Sequence, residues 1–253
     1  MKVHEIKGYI QSTYLVDYPY GLFLLDSACR CDVDVIMDFI EHDLKRPRSD
    51  LKLVLVTHMH PDHAGGADLF RSKYKIPVAS MVKDRQFYGG AAGPLQQKLD
   101  IFLGYWVAHR KKQDFRWMFY PRKLKVDIPL NDGDLIPGFE EWSVIESPGH
   151  TDRDISFFHR KSGLAYLGDV VIKLRKGFCP PIPVKQPEDY KATLDRLAEY
   201  PIKEVLLAHG GRTAIKSDDF LSMKSAISAT PKDYEVAVDV VKSVVRGFFS
   251  SKR

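Results

Sequence analysis

Cysteine is scarce: only Cys29, Cys31 and Cys179 occur among 253 residues. Three cysteines cannot build a disulfide framework for a chain this long, which points to a reducing compartment or at least to indifference to oxidation. Cys29 and Cys31 form a Cys-x-Cys, but no second cysteine pair completes a soft-metal site, and both read as ordinary residues near a strand end. Long hydrophobic runs are missing too. No stretch reaches the roughly 18 apolar residues of a transmembrane segment. The start, Met1-Lys2-Val3-His4-Glu5-Ile6, has no apolar h-region and no small-residue cleavage site. A signal peptide is therefore not expected, and the chain reads as cytoplasmic. There is no internal repeat and no low-complexity linker, which excludes solenoids and tethered modules. A net charge of +5 permits anionic partners without requiring them.

What is present is ordinary globular material, 44% hydrophobic and 28% charged, in a chain long enough for a buried core. Residues 1–253 read as a single domain. Strand-like segments are Thr13 to Val16 and Leu22 to Asp26, joined through the turn Pro19-Tyr20-Gly21. Others are Leu51 to Thr57, Pro77 to Ser80, Arg122 to Ile128, Trp142 to Glu146, Ile155 to His159, Leu164 to Leu167 and Val205 to Leu207. Helical spacing marks Ala64 to Tyr74, Pro187 to Glu199 and Ser217 to Ser228, with Ser217 as N-cap. A last helix is expected from Pro231, capped by Thr230, so that C-terminal helices occupy about 217–250. Strands flank helices in both halves, which predicts two sheets sandwiched between helical layers.

One segment differs from the rest. Residues 83–125 hold ten Lys or Arg against three Asp, a net of +7, and nine of the 29 aromatics. At its centre, Leu95 to Lys112 carries Leu99, Phe102, Leu103 and Trp106 at helical spacing. The ordinary reading is an amphipathic helix that packs on the core or makes a homodimer. The sharper reading is a lid or wall that favours an anionic, partly apolar substrate, with Arg110, Lys111 and Lys112 binding it.

The histidines carry the chemistry. Three of nine fall in Thr57-His58-Met59-His60-Pro61-Asp62-His63, directly after a buried-looking strand and before Ala64-Gly65-Gly66. In an extended chain His58 and His60 point the same way and can reach one metal ion. Pro61 then turns the backbone, so Asp62 and His63 can face a second ion. Exposed histidines often fall close together by chance, but four adjacent ligand-type side chains make poor packing material unless each finds a partner. Farther along, Pro148-Gly149-His150, Gly168-Asp169 and His209-Gly210 each place a ligand-type residue at the end of an apolar strand beside a glycine. Singly, each is a common turn. Together they present ligands toward one edge, which is what a metal site built across a sheet requires. His4, His42, His109 and His159 lack this context and read as structural or solvated.

These motifs, His58-x-His60-x-Asp62-His63, Pro148-Gly149-His150, Gly168-Asp169 and His209-Gly210, resemble the metallo-β-lactamase superfamily over roughly residues 10 to 212, in that family's order. Asp26 resembles its early strand-end aspartate. The resemblance implies an α/β, αββα four-layer sandwich with two mixed sheets flanked by helices. It implies two zinc ions, with iron or manganese as other metals for such a site. His58, His60 and His150 would hold the first ion, Asp62, His63 and His209 the second, and Asp169 would bridge them. It also implies a hydrolase that uses a hydroxide held by the two ions, with Asp62 orienting it and taking up its proton.

Comparison with the subfamilies narrows the substrate. True β-lactamases of this fold are exported and lack the bridging aspartate. Glyoxalase II-like thioesterases carry a longer C-terminal helical domain, whereas 44 residues follow His209 here. Quorum-lactone hydrolases place a tyrosine where this chain has Ile172. The transfer-RNA-processing nucleases have a further histidine motif near the end, and none follows His209. A small-molecule ester, thioester or lactone is therefore expected, and nucleic acid is not the expected partner. The alternatives are a phosphodiesterase or nuclease on the same site, with the insert binding phosphates, and a mononuclear iron enzyme of the persulfide dioxygenase kind.

Overall fold

The computed structural model describes residues 1–82 and 87–227. The helix expected from Pro231 lies outside them, as do residues 83–86 of the basic segment.

Apolar periodicity accounts for the layers. The first sheet runs in strand order β1 (Lys2–Lys7), β2 (Ser12–Tyr18), β3 (Gly21–Leu25), β4 (Leu51–Leu55), β5 (Val78–Ser80) and β6 (Ile128–Pro129). Every residue of β3 is buried, and alternate side chains enter different layers. Leu22 and Leu24 join a cluster under the first helical layer, while Phe23 and Leu25 face the second sheet. A strand buried on both faces has this continuous apolar character. The second sheet has strand order β13 (Gly211–Ala214), β12 (Glu204–Leu207), β9 (Leu164–Tyr166), β8 (Ile155–His159) and β7 (Trp142–Glu146). Its inner face contributes Trp142, Val144, Phe157, Tyr166 and Leu206 to the layer shared with Phe23 and Leu55. Tyr14 ties the sheets together by donating its hydroxyl to the Leu207 carbonyl at 2.9 Å.

Helices close both outer faces. On the first sheet lie α1 (Val33–Asp38), α2 (Pro61–Ala64), α3 (Ala67–Ser72) and α4 (Gly93–Arg110), with Val33, Ile36, Phe70 and Ile101 packed inward. On the second lie α5 (Pro187–Glu199) and α6 (Ser217–Ser225), through Leu194, Leu197, Phe220 and Met223. The fold is the four-layer αββα sandwich. A small hairpin, β10 (Ile172–Leu174) with β11 (Gly177–Cys179), stands apart from both sheets.

Several boundaries differ from expectation. The helix expected at Ala64 to Tyr74 runs only over Ala67–Ser72, separated from the short α2 by Gly65-Gly66, where the backbone runs against its neighbours: a Cβ on Gly65 would lie 2.9 Å from the Arg30 nitrogen. The strand expected at Arg122 to Ile128 is reduced to Ile128–Pro129. Lys216, not Ser217, precedes the first turn of α6, and the Asp219 carboxylate accepts its N–H at 2.8 Å. The helices α5 and α6 open at the expected residues, but α6 stops at Ser225 rather than Ser228.

Candidate metal centre

Strand direction gathers the ligand-type residues. β3 and β4 are parallel, so Asp26 and the His58–His63 loop leave the first sheet side by side. In the second sheet β8 reverses between β7 and β9, and β12 is parallel to β9. Hence β7, β9 and β12 run the same way, and His150, Asp169 and His209 emerge at one edge. The Ser12 amide donates to the Ala208 carbonyl at 2.8 Å, pinning the loop that carries His209 to the first sheet.

All seven expected residues meet there, in two groups. His58, His60, His150 and Asp169 each offer a donor atom within 4.8 Å of the others, as do Asp62, His63 and His209. His60 Nδ1 lies 3.0 Å from both His58 Nε2 and His150 Nε2. Tetrahedral ligands about 2.0–2.1 Å from a cation are themselves about 3.4 Å apart, so this convergence suits a shared cation. In the second group His209 Nε2 is 3.1 Å and His63 Nε2 3.7 Å from Asp62 Oδ2.

The two groups differ electrostatically. Burial, reinforced by neighbouring imidazoles, pushes His58 and His60 well below the ordinary histidine range, which leaves them neutral and able to donate lone pairs. Burial acts on His63 and His209 in the same direction, but Asp169 and Asp62 outweigh it and raise both. Burial would raise Asp62, yet His63 and His209 hold its carboxyl at about 2. Asp169 is likewise held well below the carboxylate range by His63 and His209 against the effect of burial. His63 Nε2 and Asp169 Oδ1 are buried 3.1 Å apart as an ion pair, with no well-aligned hydrogen bond to either atom. Buried polar atoms held close without an aligned hydrogen bond keep lone pairs that a cation could engage. A divalent cation fits both, together with the N/O donor set.

Supporting residues fix the orientation of the imidazoles. Asp26 takes a left-handed backbone conformation with φ 62°. Its carboxylate accepts the Thr57 amide (2.6 Å), the Thr57 hydroxyl (2.9 Å), the Tyr166 hydroxyl (2.6 Å) and His63 Nδ1 (2.7 Å). That bond leaves His63 Nε2 to face the centre. The Pro183 carbonyl accepts from His150 Nδ1 at 2.9 Å. Gly149 has φ 140°, and a Cβ there would lie 2.3 Å from Tyr190 Cβ, so only glycine lets the His150 turn seat on α5.

Five supporting residues lie outside the motifs: Asp154, Tyr166, Asp100, Tyr88 and Tyr120. Asp154 accepts the Thr151 amide and hydroxyl at 2.5 and 3.0 Å, closes the turn after His150, and comes within 3.7 Å of His58 Nδ1. Its signal was the Thr151-x-x-Asp154 spacing. Tyr166 and Asp100 had no local signal. The Tyr88 and Tyr120 hydroxyls both donate to the Met59 carbonyl, at 3.2 and 2.5 Å, and Asp100 stands 3.9 Å from His60 Nε2. The basic segment thus forms a wall behind His60. Of the three basic residues expected at the substrate, Arg110 lies over the Trp106 ring at 4.9 Å. Lys111 donates to the Ile10 carbonyl at 2.5 Å, and Lys112 continues in a left-handed conformation with φ 56°. The other histidines stay outside the centre: His159 bonds Ser162 and Glu141, and His4 bonds Asp17.

A four-layer sandwich whose strand ends converge on buried histidines and aspartates defines a class of metal-binding proteins. The chain belongs to the metallo-beta-lactamase superfamily, whose family model matches residues 6–209. Probable metallo-hydrolase YqjP of Bacillus subtilis (strain 168) is 29% identical over 175 residues, covering 64% of this chain and 55% of that protein. A hydroxyacylglutathione hydrolase of Chelativorans sp. (strain BNC1) is 24% identical over 164 residues, 64% of this chain and 49% of that protein. The matched region thus spans about half the length of these relatives. In fold, the chain is similar to the archaeal superfamily protein ST1585 from Sulfolobus tokodaii. The TM-score is 0.61 at 17% identity, covering 96% of this chain and 95% of that one.

Proposed function

We propose that the centre holds two zinc ions and hydrolyses an ester, thioester or lactone of a small, anionic and partly apolar substrate. His58, His60 and His150 would hold one ion and Asp62, His63 and His209 the other, with Asp169 between them. The observation that carries this reading is the placement of Asp169. Its Oδ1 lies 3.1 Å from His63 Nε2 and 3.5 Å from His209 Nε2, while its Oδ2 lies 3.7 Å from His150 Nε2. One carboxylate therefore turns an oxygen toward each group.

Bound ions would supply Lewis acidity and bring the pKa of a water down to about 7. The rest falls to this chain. Asp62, ionised at neutral pH, would orient the attacking water. Asp26 holds His63, and Tyr88 with Tyr120 holds the loop at Met59, so the donors are in place before substrate arrives. No serine or cysteine nucleophile is needed. Thioesters lead the substrate classes because several relatives are named hydroxyacylglutathione hydrolase, and cleavage of an acylglutathione breaks a thioester.

Metal content per chain, measured on protein purified without added metal, tests this together with thioester turnover. Wild type is expected to carry close to two zincs and His63→Ala about one, with turnover lost. A single iron unaffected by His63→Ala would overturn the dinuclear assignment.

A further inference from the structure

Among the described residues, the outer side of the basic segment presents a face that neither the core nor the metal centre uses. Toward the core, α4 buries Gln97, Ile101, Gly104 and Ala108. Leu95, Leu99, Phe102 and Trp106, spaced i, i+4, i+7 and i+11, form a second stripe on the opposite side. Leu95 is 73% exposed and Phe102 41%. A helix apolar on both faces normally belongs to a fully buried setting. Residues 115–119 extend the pattern with the alternation of an extended chain. Phe115, Trp117 and Phe119 are 73%, 59% and 43% exposed, while Met118 between them is buried. Tyr105 joins the two strips: its ring stacks on Phe115 at 5.2 Å and its hydroxyl accepts the Met118 amide at 3.2 Å.

Charge decides what can cover this face. Residues 87–125 hold eight Lys or Arg against two Asp, and seven of the eight are exposed, Arg110, Lys112, Arg122 and Lys123 among them. Basic and aromatic groups are interleaved, as where the Arg110 guanidinium lies over Trp106. A second copy would set the same positive excess against itself. An anionic surface complements it, and exposed Trp, Phe and Leu among Lys and Arg is the composition of a chain lying in the headgroup region of a bilayer. No helix among the described residues is long and apolar enough to cross a membrane, so the contact is peripheral.

We propose that the face formed by α4 and residues 115–119 docks reversibly on anionic lipid bilayers. Phe115, Trp117 and Phe119 enter the boundary between headgroups and acyl chains, and the surrounding Lys and Arg meet lipid phosphates. The test is co-sedimentation of the full chain with vesicles of phosphatidylcholine alone and of phosphatidylcholine mixed with phosphatidylglycerol. Binding to the mixed vesicles only, a blue shift of tryptophan emission and release by high salt are expected. Trp117→Ser with Phe119→Ser should lower partitioning at least tenfold at unchanged metal content and far-UV circular dichroism. Should that variant fail to fold, Arg122→Glu with Lys123→Glu keeps the test open, with a loss of about fivefold expected for each positive charge removed. Absence of binding to mixed vesicles, or equal binding to both kinds, overturns the proposal. So does a dimer in sedimentation velocity that Trp117→Ser dissociates, since a second copy would then cover the face.

Discussion

Asp26→Asn isolates the hydrogen-bond frame from the ligands it supports. The substitution keeps size and shape, and asparagine tolerates the left-handed backbone that Asp26 adopts at φ 62°. The carboxylate has four donors: one on Oδ1 and three, from Thr57, Tyr166 and His63, on Oδ2. An amide offers one acceptor oxygen. Placed where three donors converge, it turns its NH2 group toward the Thr57 amide and leaves that buried N–H without an acceptor. The orphaned donor costs about 1–3 kcal/mol, and losing the charge weakens the remaining bonds, for about 2–5 kcal/mol in all. Measured on metal-free protein by circular dichroism, Tm should fall by roughly 5–15 °C. Separately, a slackened His63 should lower affinity for the ion on the Asp62–His63–His209 side by about 10–100-fold, the usual cost of losing such a partner. The assay is metal per chain against increasing chelator. One metal should leave at correspondingly lower chelator while the other follows the wild-type curve. Simultaneous loss of both, or a wild-type curve for both, would refute the reasoning.

Three further outcomes follow from other parts of the molecule. Gly149→Ala places a Cβ 2.3 Å from Tyr190 Cβ and must displace the His150 turn. A misplacement of about 1 Å costs roughly 100-fold in turnover, so wild-type kinetics would show that the turn absorbs the methyl group. Serine at Arg110, Lys111 and Lys112 together should raise KM for an anionic thioester roughly threefold to tenfold at constant kcat, the scale of a few exposed charge contacts. An unchanged KM would assign these residues to packing or to the outer face alone. Far from the centre, hydrogen bonds from Lys161, His159 and Tyr18 depress the Glu141 carboxyl from 4.5 to about 2. Because the folded value is the lower one, its contribution is complete above the unfolded value and disappears as pH falls from there toward 2. In acid unfolding, Glu141→Gln should differ from wild type above about pH 5 and converge with it below about pH 2. A constant gap would contradict the assignment.

The seven ligand-type residues were legible in the chain because their signal is local. An apolar strand ends and a ligand-type residue follows, beside a glycine at His150, Asp169 and His209 and in a dense His/Asp run at His58–His63. The same locality exposed β7, β8 and α5, whose periodicity is uninterrupted. Where contacts are distant the signal vanished. The break between α2 and α3 depends on how closely the Arg30 backbone approaches Gly65, and the short β6 on its pairing with β5. Neither is written in the residues concerned. The small hairpin of β10 and β11 and the edge strand β13 left no usable pattern, since most of their residues are not buried. Chain order alone specifies which residue types stand at the strand ends. The tertiary structure decided that Tyr166, 140 residues away, would hold Asp26, and that Asp100 in the basic segment would stand behind His60. Chain spacing specifies a ligand's chemistry, whereas its orientation depends on partners that only sheet pairing and helix packing bring within hydrogen-bond reach.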